Sequence, residues 1–277
     1  MVIDCCTILN ELELWRLRFE ELREVVDRFV VVEALHTHSG LPKEPAFTPP
    51  LPTDVPVTVW RIALPDPGVV SIPATRRREM TQRNAIADAL RSLDVPDDAI
   101  ILISDVDEIP RAEVVRAIRD QGVPDGHILT FQQRLYYYSL HTPEAGGPRW
   151  LGTRAARWAD VRALTPHVVR YGLSAGDQHY PLYAVLPDAG WHFSYFGGVE
   201  QVQVKLRSFL HQELVTDTTL DGDRIARRIA ESRDLYDRRN GHTFERRAPA
   251  LAELPGPIRR DPAAWAWMFG EAVEVRR

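Results

Sequence analysis

Cysteine is nearly absent from this chain of 277 residues: there are two, Cys5 and Cys6, adjacent in an apolar stretch. Without spaced partners they exclude a disulfide framework and a cysteine zinc site, and they fit reduced core thiols. Long apolar runs are missing as well. Stretches such as Phe29–Val32 and Ala99–Ile103 fall far short of the roughly 18–20 residues that span a bilayer, so no transmembrane segment is expected. Nor does one charge dominate: 34 basic against 39 acidic residues leave a formal charge of −5, which argues against a phosphate-backbone grip on nucleic acid. Asp4 interrupts the opening residues and no basic region precedes an apolar core, so no secretory signal is expected and the cytoplasm is the expected setting.

What is present reads as an ordinary globular protein, 44% hydrophobic and 26% charged. Such a length buries an adequate core without disulfide or metal. The first third alternates strand and helix patterns, the signature of a mostly parallel, Rossmann-like sheet with flanking helices. Val2–Leu9 reads as a buried strand. From Asn10, an N-cap residue type, Leu12, Trp15, Phe19, Leu22 and Val26 recur at spacings of three and four, which predicts an amphipathic helix. Phe29–Leu35 and Val57–Ala63 are β-branched strand segments. The proline-rich stretch from His36 to Pro56 continues neither structure and should be a long loop. Thr75–Leu93 is expected as a second helix, Ala99–Ser104 as a strand and Ala112–Gln121 as a helix opened by Pro110. Gly126 to Tyr195 reads as antiparallel or mixed. Val199–Leu214 and Arg224–Arg238 return to helix. No repeat or interdomain linker is evident, so a single domain, 1–277, is the simplest account.

The sharpest chemical feature follows the Ala99–Ser104 strand: Asp105-Val106-Asp107-Glu108. Side chains two apart in an extended segment share a side, so Asp105 and Asp107 can converge on one cation while Val106 faces the core. Ligands of open α/β sheets bind beyond the carboxyl ends of the strands, where this pair would lie. Two hard oxygen donors suit Mg²⁺ or Mn²⁺ carrying a substrate diphosphate, and a metal there would act as a Lewis acid on a departing phosphate. The plain alternative is a pair of solvent-facing turn or capping residues, since short motifs match by chance.

Other residues divide between chemistry and structure. Arg83 and Asn84 offer a guanidinium for phosphate and an amide for base or ribose, or else a solvated helix face. Glu33 is either a ribose or base acceptor or the first residue of its strand to reach solvent. His192, within Gly190–Gly198, is surrounded by aromatics and is either a metal ligand or a hydrogen-bonded core histidine. Tyr136, Tyr137 and Tyr138 alternate faces, so at most one or two line a pocket. His36 and His38 are loop residues at the rim of a site.

These blocks, taken in order, resemble glycosyltransferase family 17, the family of the β-1,4-mannosyl-glycoprotein β-1,4-N-acetylglucosaminyltransferase. The resemblance rests on Asn10-Glu11-Leu12 with Arg18; Val30–Ala34 followed by His36-Thr37; Gln82–Ala85; Ile103–Pro110; Gly190–Tyr195; and Lys205 with Ser208, Phe209 and His211. It runs from the first strand to about Glu213. It implies a GT-A type fold, with residues 1–110 as the nucleotide-binding half and 111–277 as an elaborated mixed α/β acceptor-side half. It further implies a nucleotide-sugar donor, first of all UDP-linked N-acetylglucosamine, and an inverting transfer to a glycan or other hydroxyl. Asp105 and Asp107 would then hold Mn²⁺ or Mg²⁺, with His192 as third ligand and His211 as second choice, while Glu33, Arg83, Asn84 and Asp105 serve the nucleotide. An inverting displacement needs a base for the acceptor hydroxyl. Glu213, Glu108, Asp177 and Glu200 are the candidates, with Glu108 alternatively orienting the aspartates. Two other readings stand beside this one: a phosphotransferase or phosphatase with an aspartate nucleophile, and a non-catalytic carbohydrate- or nucleotide-binding protein.

Overall fold

The computed structural model describes residues 1–48, 53–147, 149–172, 182–238 and 243–270. Strands β1 (Val2–Ile8), β2 (Arg28–Ala34), β3 (Val57–Ile62) and β4 (Ile100–Asp105) lie parallel in the order β3-β2-β1-β4. Helix α1 (Leu12–Leu22) joins β1 to β2, and α2 (Ile72–Ser92) precedes β4. The near-continuous apolar strands follow from being covered on both faces. Val2, Cys6 and Ile8 pack with Trp15, Phe19 and Leu22 of α1. Ile3 and Cys5, with Val30, Val32, Ile101 and Ile103, meet Ile86, Ala89 and Leu90 of α2 on the other face. Cys5 and Cys6 are buried free thiols, as expected, and burial pushes the Cys6 thiol up to about 12.

The sheet is mostly parallel, as expected, but not wholly so: four of its seven strand pairings are parallel and three antiparallel. Beyond β4 come β7 (Trp150–Arg157), β6 (His127–Tyr137), β8 (Leu182–Ser194) and β5 (Glu108–Pro110), giving eight strands in the order β3-β2-β1-β4-β7-β6-β8-β5. β7 is antiparallel to both β4 and β6, β8 is parallel to β6, and β5 is antiparallel to β8. β4 and β5 are therefore four steps apart in the sheet, about 19 Å if it were flat. Yet only Val106 and Asp107 connect them, a span of about 10 Å at most. The sheet must curl back on itself, and the Asp105–Glu108 turn closes the curl.

Helices α3 (Ala112–Gln121), α4 (Trp158–Leu164), α5 (Pro166–Tyr171), α6 (Gly198–Ser208), α7 (Asp217–Leu220) and α8 (Gly222–Ala230) complete the elements that bear on the site. Several expected boundaries shift for local reasons. α1 starts after Glu11, not Asn10, because the Glu11 carboxylate accepts from the Leu9 and Asn10 N–H groups at 3.0 and 3.1 Å. α2 begins three residues early, capped by Ser71 with Pro73 in its first turn. Pro110 ends β5 instead of opening a helix. The expected Val199–Leu214 helix stops at Ser208, and the Gln212 side chain takes up the freed Leu206 and Phe209 carbonyls at 3.1 and 2.8 Å. The expected Arg224–Arg238 helix ends at Ala230; Ser232 has φ 54° and Asp234 organises the following turn. The three tyrosines fill cores, Tyr136 in one and Tyr137 with Tyr138 in another. No helix among the described residues is long and apolar enough to cross a membrane.

Candidate active site

The carboxyl ends of β1, β2 and β4 open into a cavity of about 620 Å³, a volume typical of small-molecule sites. β1 contributes Thr7 and Ile8, the segment after β2 contributes His36, Thr37 and His38, and α2 contributes Glu79, Gln82 and Arg83. Asp105 to Glu108 form one wall; Trp150, Arg170, Tyr171, His192 and Lys205 come from the later part of the chain. Gln82 stitches the floor together. Its amide donates to the carbonyls of Ile8 (3.2 Å) and Val32 (3.0 Å), and its oxygen meets His38 Nε2 at 2.7 Å. Burial lowers the His38 pKa.

Asp105 and Asp107 both reach the cavity and Val106 is buried in the core, but not through an extended i, i+2 geometry. The strand ends at Asp105, and Val106-Asp107 is a turn pinned from two sides. The Val106 N–H donates to the Thr7 carbonyl (3.1 Å), and the Phe193 N–H donates to the Asp107 carbonyl (2.9 Å). Beneath the turn lies Arg18. The face of β1 that meets α1 carries Asp4 among its apolar residues, and Arg18 of α1 reaches it with two 2.6 Å hydrogen bonds, both side chains fully buried. The remaining guanidinium donors go to Ser104 Oγ (2.6 Å) and the carbonyls of Glu108 (2.8 Å) and Asp105 (3.3 Å). One arginine thus holds the backbone of the whole carboxylate turn.

Each aspartate has its own cation. Arg83 Nη2 donates to Asp105 Oδ1 at 2.8 Å, and the Thr7 hydroxyl adds a bond at 3.0 Å. Burial alone would raise the Asp105 carboxyl, but Arg83 and then Arg170 outweigh it and bring the carboxyl down to about 2. Asp107 Oδ2 accepts from Lys205 Nζ at 2.6 Å and lies 3.5 Å from His192 Nε2. There too burial opposes the charge, and Lys205 and His192 hold the carboxyl well below the usual range. Burial likewise opposes the Lys205 charge, and Asp107 raises its pKa above an ordinary lysine's.

The residues implied as ligands for Mn²⁺ or Mg²⁺, Asp105, Asp107 and His192, all line the cavity, with His192 Nε2 3.5 Å from Asp107 Oδ2. Among the described residues no three His, Cys, Asp or Glu side chains are placed to hold a metal ion. A guanidinium and an ammonium lie against the two carboxylates instead. The His192 ring lies 4.3 Å from the Trp150 ring, tilted by 40°, with Nδ1 buried and unpartnered. His211 reaches the rim of the cavity, bonded to Glu213 at 2.8 Å.

The remaining expectations divide. Arg83 is at the site. Glu33 is not: fully buried, it accepts from Lys43 (3.3 Å), Arg61 (3.1 Å) and the Ala46 N–H, pinning the long loop to the sheet. Asn84 faces away and accepts the His167 N–H at 3.0 Å, holding α5. Glu108 is buried and fully engaged, with Arg170 (2.5 Å) and Trp150 (2.8 Å) on Oε1 and the Asp105 N–H (3.3 Å) on Oε2. That suits a group that positions the aspartates better than a base. Glu213 and Glu200 do not line the cavity, and Asp177 lies outside the described residues. Sequence reasoning missed Glu79, Trp150, Arg170 and Tyr171. Strand pairing and the packing of α5 bring Trp150, Arg170 and Tyr171 to the cavity, which no local pattern shows; Glu79 could have been found from its i, i+4 spacing to Arg83 on α2.

A second cavity of about 340 Å³ adjoins the first, and Glu79, Tyr171, Leu210 and His211 line both. Glu79 Oε1 accepts from the Tyr171 hydroxyl (2.7 Å) and from Arg83 (3.0 Å).

No curated protein matches the chain. Among solved structures, HddC from Yersinia pseudotuberculosis is similar at 11% identity and a TM-score of 0.36, over 69% of this chain and 89% of that one. The sequence model of one family matches residues 1–255, reaching well past Glu213, and by that match the chain belongs to glycosyltransferase family 17.

Proposed function

We propose that the larger cavity binds a nucleoside-diphosphate sugar and that the chain transfers the sugar, with inversion, to a hydroxyl of a glycan or other acceptor, on a GT-A type scaffold. The observation that carries this is the cavity at the carboxyl ends of β1, β2 and β4, which combines the Asp105–Asp107 turn with Arg83 and Lys205. Glycosyl transfer is the chemistry of the family, and UDP-linked N-acetylglucosamine is the first donor to test. The half formed by 1–110 serves the nucleotide; the later half shapes the acceptor side.

In a single displacement the acceptor oxygen forms its bond to the anomeric carbon as the bond to the leaving diphosphate breaks. The acceptor hydroxyl must give up a proton. We assign that proton to Glu79, because its carboxylate borders both cavities and is held in place by the Tyr171 hydroxyl and Arg83. The acceptor would occupy the smaller cavity, against the Tyr171 ring, which is 53% exposed.

The test is a panel of nucleotide sugars with Mn²⁺, Mg²⁺ or EDTA, scored for nucleoside diphosphate release with and without acceptors. Release from at least one donor, abolished by Asp107→Asn, supports the reading. Release from none, or release indifferent to Asp107→Asn, overturns it. A phosphoaspartate trapped at Asp105 would replace it with phosphoryl transfer.

A further inference from the structure

The chain has 34 basic residues, of which 32 are arginine and two, Lys43 and Lys205, are lysine. Five basic side chains line the larger cavity among the described residues, and both lysines are among the five. A sequence that uses arginine almost everywhere else thus keeps ammonium groups where the donor would sit. The two cations differ in what they offer. A guanidinium is a planar fork with fixed geometry, whereas an ammonium is a compact charge with three rotatable donors that can follow a moving oxygen. Lys205 stands near the end of α6 with its ammonium 5.3 Å from the centre of the Tyr195 ring and 2.6 Å from Asp107 Oδ2. That bond uses one N–H of the three. Arg83 makes the matching contact with Asp105.

We propose that Lys205, with Arg83, is the counter-charge for the donor's diphosphate, so that a nucleoside diphosphate binds to this chain without a divalent cation. The inference rests on the donor reading above. Asp105 and Asp107 then hold the two cations in place and keep them charged. As the anomeric C–O bond breaks, its electron pair goes to the β-phosphate oxygen. A Lys205 N–H donates to that oxygen and keeps its own proton. The acceptor's proton goes to Glu79, so no further reactant is required.

The experiment is calorimetric titration of UDP, GDP and ADP into the full chain, in excess EDTA and again in excess Mn²⁺, with wild type, Lys205→Gln and Lys205→Arg. At least one nucleotide is expected to bind wild type within about twofold in the two buffers. Lys205→Gln is expected to weaken it about tenfold or more, the scale of one lost charge-assisted hydrogen bond, with no rescue by Mn²⁺, and Lys205→Arg to recover part of the loss. Binding that appears only with Mn²⁺ overturns the inference while leaving the donor reading standing, as does full affinity in folded Lys205→Gln. Failure of all three nucleotides to bind in either buffer removes both. Should Lys205→Gln not fold, the wild-type comparison of EDTA with Mn²⁺ and the Lys205→Arg titration decide the matter.

Discussion

Replacing Arg18 by methionine tests the support of the carboxylate turn directly. Methionine fills much of the volume but removes the donors that serve both Asp4 oxygens, the Ser104 hydroxyl and the carbonyls of Asp105 and Glu108. Asp4 would be left as a fully buried carboxylate without its partner, and breaking a buried pair from one side costs about 3–5 kcal/mol. An orphaned buried carbonyl adds about 1 kcal/mol or more, so a loss of about 4 kcal/mol or more is expected. In a chain of this size that corresponds to a fall in melting temperature on the order of 10 °C. The double variant Asp4→Asn/Arg18→Met removes the stranded charge and should recover part of the loss, giving a coupling of about 2 kcal/mol or more between the two positions. Circular dichroism melts of the four proteins supply the cycle. If Arg18→Met melts within about 2 °C of wild type, or the two single losses simply add, the argument from the buried pair is wrong.

Gly190 lies in β8 where an added Cβ would sit 2.3 Å from the Ile109 carbonyl oxygen, so Gly190→Ala should push β5 away, at a cost of about 1–3 kcal/mol seen in chemical denaturation. Asp105 has its carboxyl lowered to about 2 in the folded chain against an ordinary value of about 3.9. Its contribution is therefore complete above the ordinary value and is lost as the pH falls toward the folded one. The stability gap between wild type and Asp105→Asn should close between about pH 5 and pH 2 in acid titrations followed by circular dichroism; a gap of constant size would contradict the assignment. In steady-state assays Glu79→Gln should lower kcat by about a hundredfold or more, as expected for losing a general base. Glu213, bonded to His211 outside the cavity lining, should tolerate the same substitution with turnover essentially retained.

Local patterns were enough to read the first hundred residues. Strands buried on both faces are written as runs of aliphatics, and α1 and α2 alternate at helical spacing, so their existence was legible even where a side-chain cap moved a boundary. The order and direction of β5 to β8 were not, because strand pairing is fixed by distant partners. The same division runs through the site. Asp105 and Arg83 sit on elements whose periodicity gives away their position, Asp107 follows the strand end directly, and all three reach the cavity. Glu33 looked like a ligand because a carboxylate in an apolar strand is conspicuous, but Lys43 and Arg61, far along the chain, satisfy it inside the protein. Lys205 could be noted only as part of a block. That it faces Asp107, 98 residues earlier, depends on how α6 packs against the closed sheet.

The two-residue link between β4 and β5 acts as a clasp across the curled sheet, and that has a mechanical corollary. Because one side of the clasp is the central strand and the other is the far margin, the two acidic groups ride on opposite jaws. A shift of the far margin changes the distance between Asp105 and Asp107, and with it the gap between the Arg83 and Lys205 cations that they hold. Movement at one edge of the sheet is thus carried to the paired cations through a single short piece of chain.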